Sequence, residues 1–222
     1  MNHRLIIENT GANQDNLELA FFAALEVCKQ KSLNNIKIVF PTKQGFKNSI
    51  VGNFLGKSAT KTILDGGDVN AIDGVTLSFG TPKSINKFSK SEVILAIYTS
   101  DSDMDLVDSL RAEAFVFLPW SEEEGKYWSA IWNPKVIGPN NWTIDTDTLS
   151  SEVQEVILRL GRSINMSTGL SHPSDKDLAK KLFSSVKKAD SFTPELVKRF
   201  AIQNGWEPMR AQELAAFSEK YC

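Results

Sequence analysis

Histidine and cysteine are scarce in this chain, two of each in 222 residues. His3 stands near the start and His172 precedes Pro173, so neither falls into a zinc-ligand spacing or supplies the base of a Ser–His–Asp arrangement. An enzyme built on this sequence would have to use carboxylates, lysines and a bound metal. Cys28 lies among Leu17, Ala20, Phe21, Ala24 and Leu25 on the apolar side of a helical pattern and reads as a buried, inert thiol, while Cys222 is the last residue. Two such thiols make no disulfide framework and point to a reducing compartment. The apolar run in "MNHRLIIENTG" is too short for a signal peptide, and no run approaches the length of a membrane span. A cytoplasmic protein without a membrane partner is expected.

Net charge is also lacking. The formal value of −2 gives no overall pull toward nucleic acid or an anionic surface. Locally the charges separate: residues 27–64 hold seven lysines (29, 31, 37, 43, 47, 57, 61) and no acid, whereas Asp101, Asp103, Asp105 and Asp108 fall within eight residues. Solvated faces account for both, with a basic rim near the first strands as the alternative.

Two nucleotide fingerprints are missing as well. "ENTGAN", Glu8–Asn13, lacks the G-x-G-x-x-G spacing of a dinucleotide loop. "VGNFLGKS", Val51–Ser58, ends like a phosphate-binding P-loop but has three residues where that loop needs four between its first glycine and the Gly-Lys pair. Helical spacing of Phe46, Ile50, Val51, Phe54 and Leu55 makes Gly56 a helix stop instead and sets Lys57 at a helix end, away from any anion site.

The first two thirds alternate short apolar runs with helical patterns. Strands are expected at Arg4–Thr10, Ile36–Phe40, Ala59–Leu64, Glu92–Thr99, Ala114–Leu118 and Lys135–Gly138, and helices at Asp15–Lys31, Gly45–Leu55, Met104–Leu110 and Glu122–Trp132. Near-continuous runs such as "VILAIY" imply strands buried on both faces and a mainly parallel sheet. "IDGV" signals a hairpin and a small antiparallel excursion between Asp65 and Phe88. After residue 150 the pattern is wholly helical: Ser151–Met166 stopping near Gly169, a helix opened by a Ser174/Asp177 capping box and running to Lys188, then helices entered through Thr193-Pro194 and Pro208. The expected architecture is α/β: a Rossmann-like domain over residues 1–145, its mainly parallel sheet covered by helices on both faces, and a small C-terminal helical domain over 150–222.

A ligand site is expected where strands run into loops. In "IVFPTKQGFKNSI" a buried strand enters a glycine-containing loop and a helix, exposing the N–H groups of Gly45, Phe46 and Lys47, with Thr42 as hydroxyl donor and Lys43 and Lys47 as charge. "NLELAFFAALEVCKQKSLNNIKIVFPTKQGF" resembles the C-terminal regulatory domain of pyruvate kinase, where a similar helix and strand lead to a Thr-Lys-Ser-Gly-type loop that holds a sugar phosphate. The resemblance covers about a fifth of the chain and implies a fold and an anion site at Thr42, Lys43 and Gly45; Gln44 replaces the hydroxyl residue. "FLPWSEEEGKYW", "INMSTGLSHPSDKDLAKKLF" and "FTPELVKRFAIQNGW" look like a family of bacterial proteins without established activity, in which a Rossmann-like domain precedes a helical tail.

Other segments admit two readings. Asp101 and Asp103, after the strand in "YTSDSDMDLVD", suit a Mg²⁺ ligand or a hydroxyl acceptor, and equally the first turn of a helix. Ser121 with Glu122–Glu124 reads as a helix cap. Glu8 could serve as an acid or base, or lie in a turn shaped by Asn9 and Asn13. "RFAIQNGWEPMRAQEL" fits part of a helix-turn-helix template, yet Glu213 and Glu219 on its second helix argue against DNA. The preferred function is non-catalytic or regulatory binding of a small anionic metabolite, a phosphorylated compound or nucleotide, between the loops at Glu8–Asn13, Pro41–Lys47 and Thr99–Asp103. The alternatives are an adaptor that binds protein or nucleic acid through the C-terminal helices, and a metal-dependent hydrolase using Asp101 and Asp103; a protein partner or a homo-oligomer is also left open. The sequence does not tell which cofactor, if any, is used.

Overall fold

The structure, a computed structural model, describes residues 3–86, 90–139, 141–186 and 192–222. It divides into two compact units, Met1–Ile144 and Asp145–Cys222. The first is α/β with a seven-stranded sheet in the order β3-β4-β2-β5-β6-β1-β7. Here β1 is His3–Ile7, β2 Asn35–Val39, β3 Val69–Asn70, β4 Thr76–Gly80, β5 Lys90–Ile97, β6 Arg111–Leu118 and β7 Lys135–Ile137. All neighbours are parallel except β3, which pairs antiparallel with β4 around the Asp73-Gly74 turn. The hairpin expected from "IDGV" thus forms at the sheet edge, and its second strand joins the parallel sheet beside β2.

Period-two alternation sorts the strand residues between two helical layers. Leu5, Ile7, Ile36, Ile38, Leu95 and Ile97 pack with Leu17, Phe21, Phe46, Val51 and Ile63. These come from α1 (Gln14–Lys31), α2 (Lys43–Asn48), α3 (Ile50–Leu55) and α4 (Lys57–Leu64). Ile6, Val39, Ile94, Phe115 and Phe117 face the opposite layer with Met104, Val107 and Trp128. That layer is α5 (Asp101–Asp108) and α6 (Glu122–Trp132). Both faces are covered, which is why the central strands read as continuous apolar runs.

Two local expectations are corrected. "ATKTIL" is not a strand but α4: Thr60 and Ile63, three apart, are its buried positions, and tertiary packing overrides the β-branched composition. The single helix expected at Gly45–Leu55 is two, because Ser49 ends α2 in extended conformation and its hydroxyl caps α3, accepting from Val51 and Gly52. Gly56 (φ +82°) then closes α3 and opens α4. "VGNFLGKS" is therefore helix–glycine–helix, with no strand before the Gly-Lys pair.

In the second unit, α7 (Ser151–Ser163), α8 (Pro173–Val186), α9 (Pro194–Gln203) and α10 (Pro208–Ser218) follow. Thr193 caps α9 with Pro194 in its first turn, and Pro208 opens α10. α7 stops at Ser163 rather than Met166, and Gly169 (φ +56°) begins a short 3₁₀ turn. α8 starts at Pro173, one residue before Ser174, so the expected capping box does not open it; Lys188 lies outside the described residues. Trp206 is buried against Gly161 of α7, and Phe183 gathers Phe192, Phe217 and Tyr221 around it. No helix among the described residues is long and apolar enough to cross a membrane.

Candidate functional site

The loop after β2 does not present the donors expected of it. α2 begins at Lys43, two residues earlier than Gly45, so Gly45 sits in its first turn and gives its N–H to the Thr42 hydroxyl at 2.9 Å. The N–H of Phe46 goes to the Thr42 carbonyl at 2.9 Å. Thr42 is thereby committed as a helix cap. Lys43 reaches the other way, donating through Nζ to the carbonyl of Leu64 at the end of α4, 3.3 Å away.

A row of aromatic rings runs beside the strand ends where the crevice was expected. Phe79, Phe46, Phe40, Tyr98 and Trp120 form a continuous row with successive centroids 4.7, 5.7, 6.1 and 5.2 Å apart. Tyr98 holds a left-handed backbone (φ +55°) and its hydroxyl donates to the Gly11 carbonyl at 3.0 Å. Burial raises its pKa. Only Trp120, at the end of the row, is largely exposed (53%). Glu8 is buried, with Oε1 accepting from the N–H of Trp142 and Oε2 unpartnered. Asn13 caps α1 through Asp15. Asp101 and Asp103 occupy the first turn of α5 behind the Ser100 cap. That helix starts three residues before the expected Met104, where acids offset its dipole. No group of three metal-ligating side chains occurs among the described residues.

On the opposite face, Arg4 of β1 meets Asp108 of α5 at 3.4 Å, and the indole N–H groups of Trp128 and Trp132 donate to the other carboxylate oxygen at 2.8 and 2.9 Å. The Arg4 guanidinium lies 3.6 Å from the Trp132 ring centroid. Enclosure raises the Asp108 pKa to about 6 despite the pairing, and burial lowers that of Arg4. This cluster ties α5 and α6 to β1, with the buried Arg4 Nε left unpartnered.

The sequence brings charge together elsewhere. A surface cavity of about 550 Å³ opens among α2, α3 and α4, lined by the exposed residues Lys47, Asn48, Asn53, Lys57, Lys61 and Asp65. Its geometry follows from two close approaches. Gly52 of α3 lies against the Phe46 and Lys47 carbonyls of α2, and the buried Thr60 hydroxyl of α4 donates to the Gly52 carbonyl at 2.7 Å. Lys47 comes from the last turn of α2, while Lys57 and Lys61 share one face of α4 at i, i+4. None of the three is ion-paired with a described residue.

Of the sequence-derived site residues, Lys47 alone lines this cavity. Thr42 and Lys43 serve helix ends, Gly45 donates to Thr42, and Glu8 and Asp101 lie at the ends of β1 and β5. Lys57, expected apart from the site, joins Lys47 in it. Lys61, Asn48, Asn53 and Asp65 were missed. The acid-free run from residue 27 to 64 and the Lys57/Lys61 spacing are the signals that mark them, once "ATKTIL" is recognised as helical.

The N-terminal unit is thus an α/β domain, Rossmann-like in its covered parallel sheet, with a basic cavity on the helical layer of α2–α4. In the C-terminal unit, residues 151–221 match the model of a domain of unknown function, DUF1889. No curated protein and no solved structure matches the chain.

Proposed function

We propose that the N-terminal unit binds a small anion in the cavity among α2, α3 and α4 and acts by binding rather than by catalysis. One observation carries this: Lys47, Lys57 and Lys61 converge from two helices on one cavity, with no described acid paired to any of them. Like charges at i, i+4 repel, so Lys57 and Lys61 gain from an anion held between them. Asn48 and Asn53 add amide donors. A volume of about 550 Å³ lies within the range of small-metabolite sites. A purely structural account also exists: Lys47 and Lys61 lie in last turns and offset helix dipoles. Lys57, at the start of α4, has no such dipole role and is exposed to solvent.

The adaptor and hydrolase readings have less support. The exposed positions of α10 include Gln212 and Glu213, Glu219 follows in the next turn, and Arg210 is paired with Glu213, a poor surface for nucleic acid. Asp101 and Asp103 are accounted for by the start of α5.

Thermal unfolding of the full chain at low ionic strength, with inorganic phosphate, pyrophosphate or citrate, tests the reading. A ligand that binds the folded state raises the midpoint. The expected result is a rise for the wild type that disappears when Lys47, Lys57 and Lys61 are all replaced by alanine. No rise in the wild type, or an equal rise in the triple variant, overturns it.

A further inference from the structure

Resting on the anion-binding reading above, we propose that the ligand is a phosphate ester of a non-aromatic body carrying a hydroxyl or ammonium donor, with Asp65 as the acceptor for that donor. The cavity is polarised along α4. Lys57, Lys61 and Asp65 stand at i, i+4 and i+8, so one face presents two cations and then a carboxylate in steps of about 6 Å, four residues at 1.5 Å each. Asp65 makes no ion pair with Lys61 or with any other described residue. At the same end, the last carbonyls of α4 add acceptor character, and Lys43 takes up that of Leu64. An anion that is only an anion meets its cations at one end and repulsion at the other. A phosphate ester with a donor about one helical turn from the phosphorus satisfies both.

The lining also speaks against a nucleobase. It consists of lysines, Asn48, Asn53, Thr60, Gly52, Leu64 and Asp65, with no aromatic side chain on which a base could stack. Phe54, next to Asn53 in sequence, turns to Phe21 of α1 instead, with ring centroids 5.3 Å apart.

Isothermal titration of the full chain separates this inference from the reading beneath it. The probes are inorganic phosphate, glycerol 3-phosphate (hydroxyl donors), O-phosphoethanolamine (an ammonium donor) and adenosine 5′-monophosphate, each with the wild type and with Asp65→Asn. At least one donor-bearing ester is expected to bind about tenfold tighter than inorganic phosphate, the scale of one charge-assisted hydrogen bond. Which of the two esters gains identifies the donor. In Asp65→Asn, which keeps a neutral acceptor but no charge, that advantage shrinks, while affinity for inorganic phosphate holds or rises because a repelling charge has gone. If phosphate binds but neither ester exceeds it, if Asp65→Asn strengthens all probes alike, or if the nucleotide binds tightest, this inference fails and anion binding stands. If no probe binds, both fail.

Discussion

Gly52 and Phe46 meet backbone to backbone: a Cβ on Gly52 would stand 2.5 Å from the Phe46 carbonyl oxygen and 3.0 Å from that of Lys47. The Gly52 carbonyl in turn receives the Thr60 hydroxyl, so one glycine sits at the crossing of three short helices. Gly52→Ala is therefore expected to push α3 off α2. Overpacking of this kind costs about 1–3 kcal/mol, and anion affinity should fall with it because the cavity walls move. Urea unfolding, with phosphate titration under conditions where the variant is folded, checks both. Wild-type stability in Gly52→Ala would mean the approach is looser than described.

The same region shows what the sequence makes legible. The sheet could be read because β5 and β6 are buried on both faces and appear as unbroken apolar runs, and the hairpin because Asp73-Gly74 needs a turn. α4 could not be read so easily: Thr60, Thr62 and Ile63 favour strand by local preference, and only packing of Thr60 and Ile63 on one side makes the segment a helix. Since Lys57 and Lys61 share a cavity only if that segment is helical, the expectation of a strand there concealed most of the cavity lining. The aromatic row was not legible either, because side-chain contacts that link Phe40, Phe46 and Tyr98 across distant parts of the chain leave no trace in local pattern.

Stability should depend on pH through Asp108. Enclosure, opposed by Arg4 and by hydrogen bonds from Trp128 and Trp132, and reinforced by Asp105, raises its pKa from 3.8 to about 6. A carboxyl raised on folding favours the folded state while protonated. Its contribution is complete below about pH 4 and is lost as pH rises through about 6. The free-energy difference between wild type and Asp108→Asn, from urea unfolding, is expected to shift against the wild type by about 2–3 kcal/mol between pH 4 and pH 7. A difference that stays flat or moves the other way refutes this.

Arg4→Met removes the cation and leaves the Asp108 carboxylate enclosed. Loss of one partner of a buried pair costs about 3–5 kcal/mol, more than an exposed pair such as Lys126–Glu122. Combining Arg4→Met with Asp108→Asn should recover part of that loss. A double variant no more stable than Arg4→Met alone would show that the Trp132 contact, and not the charge pair, is what Arg4 supplies.

The chain between the units, residues 143–148, has no helix or strand, and its side chains are exposed apart from the half-buried Ile144. Limited proteolysis is expected to cut there first, giving fragments that match the two units. A fragment of residues 145–222, which contains the whole DUF1889 match, should unfold cooperatively by itself. First cuts inside α8 or α9, or a fragment without a thermal transition, would contradict the division.

The proposed anion site lies among the lysines of α2–α4 and not at the start of α2. The most direct measurement is pyrophosphate affinity by isothermal titration for wild type, Lys57→Ala and Thr42→Ala at constant low ionic strength. Lys57→Ala removes a charge from the cavity wall and should weaken binding about tenfold with little change in stability. Thr42→Ala removes the acceptor for the Gly45 N–H and should cost about 1 kcal/mol of stability while affinity stays near wild type. Unchanged affinity in Lys57→Ala together with lost binding in folded Thr42→Ala would return the site to the α2 N-terminus and contradict the account.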